Sequence, residues 1–422
     1  MNKSINNNPK IKENTSKTTD NQVVKKEKEV KVEVFLIDRL EKYIFQKYDL
    51  RLNTVSNELD GKIKSKNEYE LFSEDVLTYE LLKAGYNKFN QILPVIISNK
   101  VRKYDPIKEY FESLPKWDKS QPDYIQKLSE YVVIEDKKWW EIMFKKHLVR
   151  MVAQGILYIP FNKQCLTLVG KQNDGKTSFL EFLLPSQLQK YYKKGFDFGG
   201  NKDGKISLCQ NFIINLDELA SFEKKELNND FKTILTESIV KFRGLFQKSE
   251  TSHYRRANFV ASTNQYEFLT DETGNVRWLP FVVKDIIHDN GKEKGYGANI
   301  DIDLVWSQAY HLLLSGEFEY TMTKADIQMQ EKINQRFMRV STEMELIQKN
   351  FKPSDEKEPN TEFLTTTEIL QKLKEVTSIQ INSVQIGKAL KILQFQESRK
   401  YMKELSFSVK GYFVKNISNH LT

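Results

Sequence analysis

The sequence predicts an α/β protein in which a helix-covered central sheet follows a helical region and precedes a small separate unit. Three observations carry that expectation. Between about Phe161 and Leu314 short apolar runs, "QCLTLV", "NFIINL", "ANFVAST" and "RWLPFVV", alternate with polar loops. Runs that are apolar on both faces suit central strands covered by helices. Before them, Trp140, Met143, Phe144, His147, Leu148, Met151 and Val152 recur at helical spacing and make one apolar stripe. After them, "KPSDEKEPN" interrupts the pattern with two prolines and mixed charge, as a linker does.

Taken in order, residues 1–32 are Asn, Lys, Ser, Thr and Glu with little to bury, and read as a disordered basic arm. Residues 33–158 read as an N-terminal helical domain. His147 in its stripe reads as a packed histidine, and Lys145, Lys146 and Arg150, off the stripe, as solvated. Residues 159–320 form the α/β core, 321–352 a helical connector, and 361–422 the C-terminal unit. In that unit "LTTTEILQKLKEV" opens with hydroxyls that cap a helix, and Asn382 or Ser383 caps a second one striped by Ile386, Ala389, Leu390 and Leu393. "SRKYMKELSFSVKGYFVK" reads as two strands joined by a turn. Helices followed by a basic hairpin describe a winged-helix-like domain.

Length leaves room for two or three domains. The chain has 422 residues, with 65 Lys and Arg against 57 Asp and Glu, a formal charge of +8. That excess suggests a polyanionic partner, most commonly nucleic acid; a basic tail on an otherwise ordinary protein is the alternative. Cys165 and Cys209 lie in apolar stretches and make no disulfide framework, as expected in a reducing cytoplasm. No apolar run reaches 18 residues and the first residues lack a signal-like segment. The expectation is a cytoplasmic protein with no membrane partner.

The chemistry starts at "GKQNDGKTSF", directly behind the run "QCLTLV". Gly170-x-x-x-x-Gly175-Lys176-Thr177 matches the phosphate-loop pattern, with a strand before it and the helix "KTSFLEFLL" after it. Glycines let the backbone turn its N–H groups toward phosphate oxygens. Gly170, Asn173, Asp174, Gly175, Lys176, Thr177 and Ser178 are therefore the candidate ATP-binding residues, with Lys176 on the β- and γ-phosphates and the Thr177 hydroxyl on Mg²⁺. A second element, "NFIINLDELASF", ends an apolar run in Asp217-Glu218. The first acid suits a metal shell and the second an attacking water, a pair that favours hydrolysis over small-molecule kinase chemistry. A third, "ANFVASTNQYEFL", ends in Ser262-Thr263-Asn264, a polar tip for a γ-phosphate or its water. Farther on, "DETGNVRW" offers Arg277, a guanidinium most useful in a neighbouring subunit's site.

These residues resemble the virulence-associated E family, phage- and island-encoded ATPases related to superfamily 3 helicases. "YDPIKEYFESLPKWD", "LVGKQNDGKTSFLEFLLP", "INLDELASFEKKELNNDFKTILT", "VKFRGLFQKSETSHYRRANFVASTNQYEFLTDETGNVRWLPF" and "VWSQAYHLLLSGE" follow in the family's order. The resemblance implies a P-loop NTPase core of superfamily 3/AAA+-like type. It also implies a homo-oligomeric ring, expected as a hexamer, that moves on single-stranded or forked DNA during replication of a mobile element. It makes Asp217 the metal-shell acid, Glu218 the catalytic base, Asn264 the sensor and Arg277 the finger supplied in trans. Where the family usually reads Gly-Asn-Arg-Arg, this chain has Gly274-Asn275-Val276-Arg277, so only the second arginine is present. No primase-like acidic motif is visible, which makes a separate primase the expected partner.

Related helicases project a β-hairpin between the second acid motif and the sensor strand. Here "FRGLFQKSETSHYRRANF" would place Lys248 and His253 near a tip, with Arg255 and Arg256 beside it, gripping phosphates without reading bases. An ordinary surface hairpin is the alternative. In the C-terminal unit Lys388 and Lys391 on the second helix would enter a groove, with Arg399 and Lys400 on the wing; protein docking is the alternative there. Three readings stay open: a DNA-stimulated helicase ATPase, an ATP-dependent initiator or loader without processive unwinding, and an ATP-liganded DNA-binding regulator.

Overall fold

Tyr48, Leu50 and Leu52, then Leu59, Gly61 and Ile63, alternate along the chain with a period of two, and both runs are strands in the computed structural model. The structure describes residues 35–217, 225–243, 250–269, 275–291, 294–402 and 406–417. They fall into two units, 35–50 with 61–101, and 51–60 with 102–417. The elements up to Tyr104 are α1 (Leu36–Lys47), β1 (Tyr48–Asn53), β2 (Leu59–Ile63), β3 (Glu70–Leu71), α2 (Glu74–Lys83), α3 (Leu93–Lys100) and β4 (Arg102–Tyr104). In the first unit Leu40, Ile44, Leu77, Leu81 and Ile96 are buried, and Ser73 caps α2 by accepting from the Asp75 N–H. In the second, Arg51–Asn53 of β1 runs parallel to β4.

The expected helical domain over 33–158 is thus corrected twice. It contains strands, and its boundary at 158 is not one, because residues from 102 onward belong to the unit with the central sheet. There α4 (Pro106–Ser113) and α5 (Tyr124–Ser129) precede β5 (Val132–Ile134) and α6 (Lys137–Gly155). Helix α6 starts at the capping side chain of Asp136 and is buried almost all round, so the single stripe understates it. Lys146 and Arg150 are not solvated. The Lys146 ammonium donates to Asp326 (2.8 Å) and to the Thr321 carbonyl (3.0 Å), and Arg150 Nη1 donates to the Tyr320 carbonyl (2.6 Å). Lys145 pairs with Asp123.

His147 is fully buried, and burial, with the nearby Arg150 charge a lesser cause, holds its pKa well below the ordinary 6.5. The folded chain therefore keeps this ring neutral while the unfolded chain protonates it as pH falls through 6.5. Stability present above that pH is lost below it, by roughly 1.4 kcal/mol per pH unit. His147→Leu is expected to remove that part of the slope, read as the difference between urea midpoints at neutral pH and at about pH 5.5.

The central elements follow as β6 (Cys165–Val169), α7 (Lys176–Phe182), β7 (Tyr192–Lys194), α8 (Lys202–Gln210), β8 (Ile213–Asp217), α9 (Lys225–Thr236), β9 (Ile239–Phe242), β10 (Thr251–Tyr254), β11 (Asn258–Thr263) and β12 (Trp278–Ile286). The sheet runs β5-β12-β6-β11-β8-β7, parallel throughout except for β5. Every residue of β6 and β11 is buried, as strands covered on both faces require. β9 and β10 form a separate antiparallel ribbon. Then come α10 (Tyr296–Asn299), α11 (Ile302–Ser315), which packs on α6 and α5, and α12 (Lys324–Asn334).

A second core begins earlier than expected. Met344 and Ile347 of α13 (Thr342–Asn350) and Phe351 of β13 (Phe351–Pro353) are buried with Ile369, Leu390 and Val414. The connector over 321–352 is therefore only partly a connector, and its last helix is core. β14 (Glu362–Leu364) leads to α14 (Thr366–Val376), capped reciprocally by Thr365 and Glu368, and α15 (Ser383–Ile392) is capped by Asn382. β15 (Glu397–Met402) and β16 (Phe407–Asn416) pair antiparallel. β13 and β15 share one edge of β16, and β14 lies on the other.

Candidate active site

Because β6, β8 and β11 are parallel, their carboxyl ends meet at one sheet edge. Register sets what meets there: Thr263 lies beside Val169, and Ser262 beside Asp217. The loop after β6 is tied to β11 by the Gly170 N–H, which donates to the Thr263 carbonyl (3.1 Å). Asn173 and Gly175 both adopt left-handed backbone, φ +68° and +71°, a conformation asparagine tolerates and glycine takes freely. Lys176 follows at the first position of α7.

Lys176 is buried, and its ammonium donates to the Gly170 carbonyl (3.0 Å) and the Lys171 carbonyl of its own loop. Burial lowers its pKa, against the opposing charges of Asp174 and Asp217. Asp217 Oδ1 accepts from the Thr177 hydroxyl (3.0 Å) and the Ser262 hydroxyl (2.9 Å), and the two hydroxyl oxygens lie 3.2 Å apart. A cleft of about 410 Å³ opens over these groups. Asn173, Ser178 and Asn264 also line it. An ammonium, two hydroxyls and a carboxylate facing one polar cleft can hold a polyanion together with a hard cation. Among the described residues no cluster of three His, Cys, Asp or Glu exists for a metal held by protein alone.

The remaining expected residues scatter. Glu218 and Lys248 lie outside the described residues. Arg277 precedes β12 at the edge opposite the cleft: Trp278 pairs with Cys165, whereas Val282 pairs with Val169. It sits roughly 16 Å along the strand from its own chain's cleft, and burial lowers its pKa. The ribbon β9–β10 exists, but His253 is mid-strand opposite Val240, stacked on Phe242 at 4.1 Å, rather than near a tip.

Arg255 and Arg256 require a correction, since neither guanidinium faces solvent. Arg255 is 0% exposed and donates to four carbonyls and the Gln154 side chain. Arg256 pairs with Asp105 (2.6 Å) and donates to the Gly155 carbonyl (3.0 Å). Neither is presented to a nucleic acid. In the C-terminal unit Lys391, Arg399 and Lys400 are exposed and Lys388 is half-buried. Lys400 lies 4.0 Å from Glu356, and Lys410 pairs with Glu397 at 2.7 Å, so acids of the same unit offset part of the charge.

Two contacts escaped the motif reading. Ser262 joins Asp217 through a register that links strands 45 residues apart. His288, in the polar glycine-containing stretch after β12, lies against the backbone of the loop after β6.

The virulence-associated protein E-like domain matches residues 111–339, more than half of the chain. The chain belongs to that family. The matched span contains the whole cleft, from β6 to β12, and leaves the first unit and the second core outside it. Among solved structures, the A-form apo NrS-1 C-terminal region is 13% identical, with 89% of this chain and 98% of that one covered and a TM-score of 0.44. The SCCmec type IV Cch, described as an active helicase, is 10% identical, with 86% and 92% covered and a TM-score of 0.37. At these scores neither likeness carries an argument about this chain. No curated protein matches it. Among the described residues no helix is long and apolar enough to cross a membrane.

Proposed function

We propose that this family member is a P-loop ATPase that forms a ring and uses ATP hydrolysis to move on single-stranded or forked DNA in replication. The carrying observation is the convergence of Lys176, Thr177, Asp217 and Ser262 on one cleft at the carboxyl edge of a parallel sheet. On this reading the Lys176 ammonium exchanges its loop carbonyls for the β- and γ-phosphates. Thr177 and Asp217 would hold Mg²⁺, which when bound would neutralise charge on those phosphates. Asn264, at the tip of β11, orients the γ-phosphate or its water, and Glu218, next in sequence to Asp217, takes the water's proton.

Arg277 cannot serve its own cleft from the opposite sheet edge, which favours a finger that completes the site of an adjoining subunit. Lys248, between β9 and β10 in sequence, would grip DNA phosphates. The C-terminal helices and hairpin form a winged-helix-like unit with Lys391, Arg399 and Lys400 on its DNA-facing side, and priming falls to a separate protein.

Single-stranded DNA is expected to raise ATP turnover several-fold, and ATP analogue plus DNA to raise the mass by light scattering from one chain to a multiple of it. Turnover indifferent to DNA in a chain that stays monomeric under every condition would remove the ring motor and leave a simple hydrolase.

A further inference from the structure

This inference rests on the nucleotide reading of the cleft and adds a residue to it. His288 lies two positions beyond β12 and 114 residues from the phosphate loop. Its Nε2 is 3.4 Å from the Asp174 carbonyl oxygen, and a side chain placed on Gly175 would overlap the ring. A carbonyl only accepts, so Nε2 carries the hydrogen. In the neutral ring Nδ1 then accepts from the Tyr296 hydroxyl, 3.1 Å away. Burial pushes that hydroxyl's pKa up to about 12, so it remains a donor.

The ring's surroundings are themselves held in place. Tyr296 packs edge-on against Phe179 and tilted against Phe182, both on α7, and its N–H donates to the Ile287 carbonyl (3.3 Å). Asp289 Oδ1 accepts from the N–H groups of Gly295 (2.7 Å) and Ala298 (3.3 Å). The Gly295 backbone approaches His288 and Asp289 so closely that any Cβ there would collide. Such packing keeps the imidazole pressed on the phosphate loop rather than free in solvent.

We infer that His288 is a positioning residue for triphosphate binding, acting through Asp174 and Gly175 to hold the phosphate loop in its left-handed turn. It supplies no group to the reaction itself. A loop that grips phosphate equally in the ground state and the transition state affects KM and leaves kcat alone.

His288→Ala is expected to raise KM for ATP by up to about tenfold, the upper end of what one neutral hydrogen bond contributes, with kcat within about twofold. His288→Gln, whose amide puts a donor at the reach of Nε2, is expected to recover most of the loss. Steady-state kinetics and thermal melts on the full chain read both. Unchanged KM in His288→Ala overturns the inference, as does a lower melting temperature with kcat reduced and KM intact, the pattern of a purely structural side chain. A wild-type chain that neither binds nor hydrolyses ATP overturns the reading of the cleft, and this inference with it.

Discussion

Lys176→Ala is expected to lower ATP hydrolysis by about a thousandfold, the scale on which a single preorganised charge-stabilising group acts, with little change in melting temperature. The two halves of that result have different causes. Among the described residues the buried ammonium has no carboxylate hydrogen-bond partner: its hydrogen bonds go to the Gly170 and Lys171 carbonyls, and burial disfavours its charged form. An ammonium kept desolvated beside carbonyl oxygens is matched better by an arriving phosphate than by the empty loop. On the proposed ATPase reading, its removal therefore subtracts from nucleotide and transition-state binding. Of the carbonyls it leaves, that of the exposed Lys171 takes up water, so the loss to the fold is confined to the buried Gly170 carbonyl. Turnover assays and thermal melts on the same preparation separate the two. Hydrolysis by Lys176→Ala at the wild-type rate would move the chemistry out of this cleft.

What was legible in the sequence was what is local. The strand, loop and helix around Gly170–Thr177 span few residues, and their pattern marks the elements found there. The apolar runs before Asp217 and Asn264 likewise mark buried strands, and the hydroxyl cluster before α14 and the Asn382-Ser383 pair before α15 mark helix starts, where the caps prove to be Thr365 and Asn382, because a cap joins residues three apart. Pairings between distant segments were not legible. That Ser262 donates to Asp217 depends on the register of β11 on β8, and that His288 touches the loop depends on β12 lying beside β6.

The strands near the N-terminus hide in the sequence for another reason. The period-two alternation at Tyr48–Leu52 and Leu59–Ile63, which crosses from the first unit into the second, is short and sits beside strong helices, so helical spacing dominates the pattern there. Charge misled at Lys146, Arg150, Arg255 and Arg256. Long cationic side chains read as surface, and only a fold reveals carbonyls and carboxylates gathered around them.

Arg255→Met is expected to destabilise the chain by about 3–5 kcal/mol, the scale for breaking a buried, fully bonded charge. The guanidinium donates from Nε to the Glu237 carbonyl (2.9 Å) and from Nη1 to the Ala257 carbonyl (2.8 Å). Nη2 reaches the carbonyls of Leu235 (3.1 Å) and Asn162 (3.1 Å) and the Gln154 Oε1 (3.2 Å). These acceptors lie at the end of α9, at the start of β11, before β6 and on α6, so one side chain joins four segments of the sheet unit. Burial lowers its pKa to about 10, which leaves it charged at neutral pH. Methionine fills the volume but leaves several buried acceptors without donors, and each costs about 1–3 kcal/mol before relaxation. Arg255→Lys recovers little, because three donors on one nitrogen cannot span acceptors that a planar fork reaches from several sides. Urea midpoints measure both variants. A midpoint equal to wild type in Arg255→Met, combined with weaker and less salt-sensitive DNA binding, would return this arginine from the interior to the DNA surface where its sequence position first put it.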